Sequence, residues 1–165
     1  MKKTLAIIPA RKGSKRITNK NIKKFNGIPI IAYTIKAAKK SKIFDYISVS
    51  TDCKIIAKVA IKYGAKVDFK RPKKISDDNT KTIDVINHAI NFYNKDFERF
   101  KYICCLYPAS PFIDHKNIIE AYNALKNSKC DMVFTAQEFP SPIQRAIKVK
   151  NKNVSWLNKK FSKKN

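Results

Sequence analysis

Arg11, Lys15, Arg16 and Lys20 crowd into a short loop directly after the apolar run Leu5 to Ile8, with Gly13 among them. Cations at that density can neutralise a chain of phosphates, and the backbone N–H groups around Gly13 add neutral donors. Asn21, next to Lys20, is placed to hydrogen-bond the same ligand. The loop follows neither of the two common phosphate-loop patterns. It lacks the Gly-x-x-x-x-Gly-Lys spacing, and it lacks the three-glycine dinucleotide fingerprint because it holds only Gly13. Its charge alone fits a solvated basic loop. Its place, where a buried strand opens into a turn, argues for a ligand.

Four more polar segments carry candidate chemistry. Ser50-Thr51-Asp52 ends a second apolar run, where it serves either to cap a helix or to touch substrate. Arg71 precedes a proline and is held extended, and the run after it ends in Thr80 and Thr82 at the start of a helical pattern. That segment reads either as a surface loop with an N-cap or as hydroxyls and free N–H groups offered to a ligand. Tyr107 opens Tyr107-Pro108-Ala109-Ser110-Pro111, a strand end with a stiff turn. Gln144 and Arg145 follow Pro140 and Pro142, an amide and a guanidinium suited to sugar hydroxyls and a carboxylate. His88 and His115 fall within or beside helical patterns and read as packed or half-exposed side chains.

The elements that must position these groups alternate. Strand-like runs at Leu5 to Ile8, Tyr46 to Val49, Ala65 to Val67, Tyr102 to Leu106 and Met132 to Thr135 are short and mostly without polar alternation. Between them lie helical patterns. One runs from Pro29 to Lys40. A second begins at Asp52, which can cap it, buries Ile55, Ile56 and Val59, and stops at Gly64. A third follows Thr80 to Thr82 and repeats Ile83, Ile86 and Ile90, and a fourth starts near Asp114 with Ile118, Tyr122 and Leu125. This predicts an α/β fold with a mostly parallel sheet, helices on both faces, and one domain over residues 1–165. Ligands of such sheets bind beyond the carboxyl ends of the strands, which is where the polar segments fall.

Composition narrows the partners. The net charge of +24 on 165 residues suits a nucleic-acid binder, but the excess is lysine spread from end to end, with only five arginines. Without a cluster of arginines and aromatics or a zinc-spaced Cys/His set, no nucleic-acid partner is expected. The four cysteines form no CxxC pair, and Cys104 and Cys105 sit inside an apolar run as small hydrophobes. With no signal peptide or apolar span in view, no membrane role is expected, and a reducing cytoplasm is the expected location.

The run Arg11-x-Gly13-Ser14-Lys15-Arg16-x-x-x-Lys20-Asn21 after the first strand resembles the signature loop of the sugar-acid cytidylyltransferases, which make CMP-activated sialic acids. The resemblance covers nearly all of residues 3–150. It implies a Rossmann-like nucleotide-diphospho-sugar transferase fold, a three-layer αβα sandwich. It implies transfer of CMP from CTP to the anomeric hydroxyl of a nine-carbon sugar acid with release of pyrophosphate. On this basis Arg11 and Lys20 act on the phosphates, while Ala10, Gly13, Lys15, Asn21, Arg71, Thr80 and Thr82 hold the nucleotide. Tyr107, Gln144 and Arg145 hold the sugar acid. Tyr107, where sialic acid enzymes have glutamine, and the run Phe139 to Arg145 resemble the branch acting on pseudaminic acid more than the sialic or legionaminic acid branches.

The resemblance also implies magnesium and a homodimer. Family members run on past Asn165, and in them a later Asp-x-Asp supplies the metal ligands, so those ligands are expected outside this sequence. Lys12 and Thr18 replace the usual glycine and proline of the signature loop. The early stop leaves a different class open as the alternative, a nucleotide-binding remnant without catalysis.

Overall fold

The structure, a computed structural model, describes residues 3–95, 100–158 and 160, and the chain divides into two compact units, Met1–Val133 and Phe134–Asn165. The first unit is organised by β1 (Lys3–Pro9), whose residues from Thr4 to Ile8 are all buried. Successive side chains on a strand point to opposite faces, so one short run feeds two cores. Ala6 and Ile8 join one cluster, while Leu5 and Ile7 join the other.

After β1 and the basic loop, β2 (Lys24–Phe25) and β3 (Ile28–Pro29) form a small hairpin. Its turn places Asn26 and Gly27 at positive φ, 43° and 86°. The hairpin leads into α1 (Ile30–Ser41), β4 (Tyr46–Ser50) and α2 (Lys54–Lys62). Next come α3 (Thr82–Lys95), β5 (Phe100–Cys105) and α4 (His115–Asn127). The sheet order is β4-β1-β5, all parallel, with Ile7 opposite Ser48 on one side and Cys105 on the other. Ile31, Ile35, Ile56, Ala60 and Ile118 bring α1, α2 and α4 onto the Ala6/Ile8 face. Ala89 and Tyr93 bring α3 onto the Leu5/Ile7 face. Helices on both faces of a parallel sheet make the three-layer α/β sandwich expected from the sequence.

Several expected details come out differently. Ala65–Val67 contributes only an isolated bridge, Ser48 to Lys66, because the chain leaves Gly64 at a φ of +90° and Lys66 is already exposed. Met132–Thr135 is not a strand. Met132 and Phe134 are exposed and the segment straddles the boundary between the units, with no ladder to satisfy its backbone. On α2, Ile56 is buried but Ile55 is 59% exposed. The buried stripe of α3 is Val85, Ala89 and Tyr93, and Ile83 is 53% exposed in the first turn. β5 alternates, with Lys101 and Ile103 outward, as suits the edge of the sheet.

The second unit holds the hairpin of β6 (Ile147–Lys150) and β7 (Asn153–Trp156). Asn151 and Lys152, both at positive φ, make its two-residue turn, which matches the twist of the strands.

Ile7 is wholly buried between the central strand and α3. Ile7→Ala is therefore expected to destabilise the first unit by about 2–5 kcal/mol, the cost of lost transfer energy plus a cavity. Urea denaturation followed by circular dichroism measures it.

Candidate active site

The carboxyl ends of β1 and β5 open onto one cleft of about 150 Å³. Pro9 and Arg11 reach it from β1, Tyr107 from β5, and Arg71, Ile75, Asp77, Asp78, Thr80, Thr82 and Val85 from the segment leading into α3. Five of the sequence candidates, Arg11, Arg71, Thr80, Thr82 and Tyr107, thus line the same concavity.

The basic loop is anchored at both ends. The Ala10 N–H donates to the Ser50 carbonyl at 2.9 Å, and Asn21 Nδ2 donates to the Arg11 carbonyl at 2.9 Å. Asn21 is buried, and its Oδ1 accepts no hydrogen bond among the described residues. Lys20 begins the 3-10 turn Lys20–Ile22 that carries Asn21. Two backbone donors expected near Gly13 are already used: the Lys12 N–H by Asp52 Oδ1 at 2.9 Å, and the Ser14 N–H by the Lys12 carbonyl at 2.9 Å. The loop therefore offers its ligand mainly side-chain cations. Gly13 has no positive φ, and a Cβ there would lie 3.4 Å from Arg11 Nη1, an ordinary contact.

Asp52 is thereby also corrected as a helix cap. The residue before α2 is Cys53, and no side chain caps the helix. Thr51 Oγ1 accepts the Cys53 N–H at 3.2 Å, while Asp52 turns to the basic loop.

Arg71 is only 3% exposed. Its Nε donates to Ser50 Oγ at 3.1 Å, Nη2 donates to the Ser50 carbonyl, and its own N–H donates to the Thr51 carbonyl at 2.9 Å. Burial pulls its guanidinium down to about 10, helped by the charge of Arg11 and opposed by Asp52. It remains a cation at neutral pH. Fixed by the end of β4 and exposed to little water, it supplies a preorganised positive charge to the cleft.

Thr80 and Thr82 hold the rim. Asp77 Oδ1 accepts from the Asn79 N–H at 3.1 Å, the Thr80 N–H at 2.7 Å and Thr80 Oγ1 at 2.6 Å, which shapes the turn into α3. These bonds hold the Asp77 carboxyl below the usual carboxylate range. Asp78 pairs with Arg11 through one oxygen and with Lys15 Nζ through the other, the latter at 2.7 Å. Tyr107 is 61% exposed at the mouth, with its carbonyl taking a hydrogen bond from Thr34 Oγ1 at 3.0 Å.

Gln144 and Arg145 lie on the exposed 3-10 turn Ile143–Arg145 of the second unit, and the cleft of the first unit is lined by first-unit residues alone. His88 packs edge-on to Phe69, and burial, then Arg71 and Lys74, lower its basicity. His115 pairs with Asp114 at the start of α4, and neither histidine lines the cleft. Burial raises the Cys104 thiol to about 11 and also raises Cys105, the behaviour of small hydrophobes.

Sequence reasoning missed the roles of Asp77, Asp78 and Ser50. A signal for the first was present, since an aspartate followed by asparagine and threonine two and three residues on is a turn pattern. Nothing in the sequence marks which loop Asp78 faces.

The cytidylyltransferase family model matches residues 5–160. The chain belongs to that family. Among curated relatives of this cytidylyltransferase, the pseudaminic acid cytidylyltransferase of Campylobacter jejuni subsp. jejuni is 42% identical over 155 residues, which span 94% of this chain and 67% of the relative. The N-acylneuraminate cytidylyltransferase of Escherichia coli is 40% identical over 149 residues, 88% of this chain and 34% of the relative. Among solved structures, CMP-2-keto-3-deoxy-manno-octonic acid synthetase complexed with CTP superposes with a TM-score of 0.63 at 22% identity, over 76% of this chain and 48% of that one. A cytidylyltransferase from Leptospira borgpetersenii gives 0.61 at 25% identity, over 78% and 51%. The cytidylyltransferase thus spans about two thirds of the Campylobacter relative and about half of these solved chains.

Proposed function

We propose that this cytidylyltransferase transfers CMP from CTP to the anomeric hydroxyl of a nine-carbon sugar acid, with pseudaminic acid as the acceptor. The observation that carries the proposal is the convergence of Arg11 and Arg71, from two different loops, on one cleft at the carboxyl edge of the sheet. The family match and the similarity to pseudaminic acid cytidylyltransferase over 94% of the chain support the choice of acceptor.

In the reaction the sugar hydroxyl oxygen bonds to the α-phosphorus, the bond to the β-phosphate breaks, pyrophosphate leaves, and the hydroxyl proton passes to solvent. The charge borne by CTP and a carboxylated acceptor makes electrostatic offset and alignment the main demands. Arg11, Lys15 and Lys20 are proposed to hold the phosphates, Ala10, Gly13 and Asn21 to contact the nucleotide, and Arg71, Thr80 and Thr82 to hold cytidine. Tyr107, Gln144 and Arg145 are proposed to hold the sugar acid.

Magnesium is expected from the family resemblance. The described residues contain no group of three or more His, Cys, Asp or Glu side chains arranged to hold a metal, and Asp78, beside the phosphate loop, is committed to Arg11 and Lys15. These residues do not form a metal cage, so no step is assigned to a protein-held ion. No described helix is long and apolar enough to cross a membrane. We assign the reaction to the cytoplasm, in keeping with four free cysteines. A homodimer is proposed on family resemblance.

Incubating the chain with CTP, magnesium and each sugar acid, while following pyrophosphate release, tests the proposal. Release is expected with pseudaminic acid. Turnover with sialic acid alone would refute the acceptor, and CTP binding without turnover would mark a nucleotide-binding protein.

A further inference from the structure

Two of the cations proposed to hold phosphate already have an anionic partner inside the protein. One Asp78 oxygen accepts from Arg11 Nη2 and the other lies 2.7 Å from Lys15 Nζ. The carboxylate therefore bridges the beginning and middle of the basic loop. It does so from a shaped support. The neighbouring Asp77 closes the turn through Asn79 and Thr80, which presents Asp78 from a defined backbone. On the other side, Arg11 is tethered through its carbonyl to Asn21. In a chain with 12 acidic residues against 36 Lys and Arg, this contact puts a scarce carboxylate on the donors a phosphate chain needs.

We infer that Asp78 is an intramolecular competitor for the polyphosphate site, a carboxylate that a ligand must displace from Arg11 and Lys15 before its own phosphates can bind. The inference rests on the proposed use of those two residues for phosphate. A carboxylate brings one charge and two oxygens, whereas a triphosphate brings up to four charges and more oxygens than the two cations can bond. The triphosphate wins that exchange, and ligands of low charge do not. Asp78 thereby weakens the binding of phosphate-bearing ligands that need Arg11 and Lys15 and leaves a bare nucleoside unaffected. The apparent affinity of any ligand needing Arg11 and Lys15 is reduced by the fraction of molecules in which Asp78 occupies them.

The test is calorimetric titration of wild type, Asp78→Asn, Asp78→Ser and the control Glu120→Gln with tripolyphosphate, CTP and cytidine at low and high salt. Asp78 is partly exposed and outside the core clusters, so its loss leaves the packing intact. Breaking two exposed ion pairs leads us to expect about threefold to tenfold tighter binding of tripolyphosphate and CTP to both Asp78 variants. Cytidine affinity should stay unchanged, and the gain should shrink at high salt. Equal or weaker phosphate binding by the Asp78 variants, or an equal gain in Glu120→Gln, overturns the inference. Wild-type turnover without a gain in the variants removes the competitor role alone. A gain in the variants with no turnover on any sugar acid removes the proposed reaction alone.

Discussion

Arg11→Ala is expected to raise the dissociation constant for CTP by about one to two orders of magnitude while leaving the fold unchanged. A hydrogen bond to a charged group is worth about 1.5–3 kcal/mol, and each 1.4 kcal/mol is about a tenfold change. The loop's path does not depend on this side chain. The Ala10 N–H bond to Ser50 and the Asn21 bond to the Arg11 carbonyl both survive the substitution. Asp78 keeps Lys15 as a partner and stays accessible to water. Thermal unfolding within about 0.5 kcal/mol of wild type, as for an ordinary surface change, should accompany the lost affinity. An unaltered dissociation constant would reduce the loop to a surface feature and remove the basis of the proposed reaction.

Arg71→Ala should act on both binding and stability. Its guanidinium is buried, donates twice to Ser50 and packs where the parallel bridge from Thr51 to Lys70 ends. Removing it leaves the Ser50 carbonyl without that donor, and charged hydrogen bonds of this kind contribute about 1.5–3 kcal/mol. Some of that loss is offset because a buried charge no longer needs desolvation. CTP affinity should fall at least as far as in Arg11→Ala, since the cleft loses its least hydrated cation. Arg71→Lys separates the two effects. An ammonium keeps the charge but lacks the planar fork that serves Ser50 Nε-to-Oγ and Nη2-to-carbonyl together. We expect Arg71→Lys to recover affinity more than stability, read by calorimetry and urea denaturation. Wild-type affinity in Arg71→Lys would show that only charge, and not the fork, matters.

Much of the site was legible because its residues fall at strand ends. A buried strand must surface somewhere, and in a parallel sheet every strand surfaces ligand-side at the same edge. Arg11 and Tyr107 could therefore be placed at one edge without coordinates, whereas Arg71, Thr80 and Thr82 were nominated by the family resemblance. Gln144 and Arg145, placed at the same edge, do not line the cleft. Helix faces were less legible. Ile83, Ile86 and Ile90 share a helical spacing, and Ile86 and Ile90 do pack against the core, but Ile83 is exposed and the buried positions of α3 are Val85, Ala89 and Tyr93. Isoleucine in a chain this rich in it marks no face by itself. Met132–Thr135 shows the same limit for strands, since an apolar run becomes a strand only when another backbone lies alongside to take its hydrogen bonds.

Residue order alone determined the α/β alternation, the position of the cationic loop after β1 and the chemistry those cations are suited to, because hydrophobic period and charge are local properties. Tertiary structure alone decided how that charge is partnered. Asp52 and Asp78 lie 40 and 67 residues from the loop groups they bond, Lys12 and Arg11, and no local pattern encodes such a meeting. Asp52 became an anchor of the loop and Asp78 a partner of its cations because parallel strands bring distant turns to one edge.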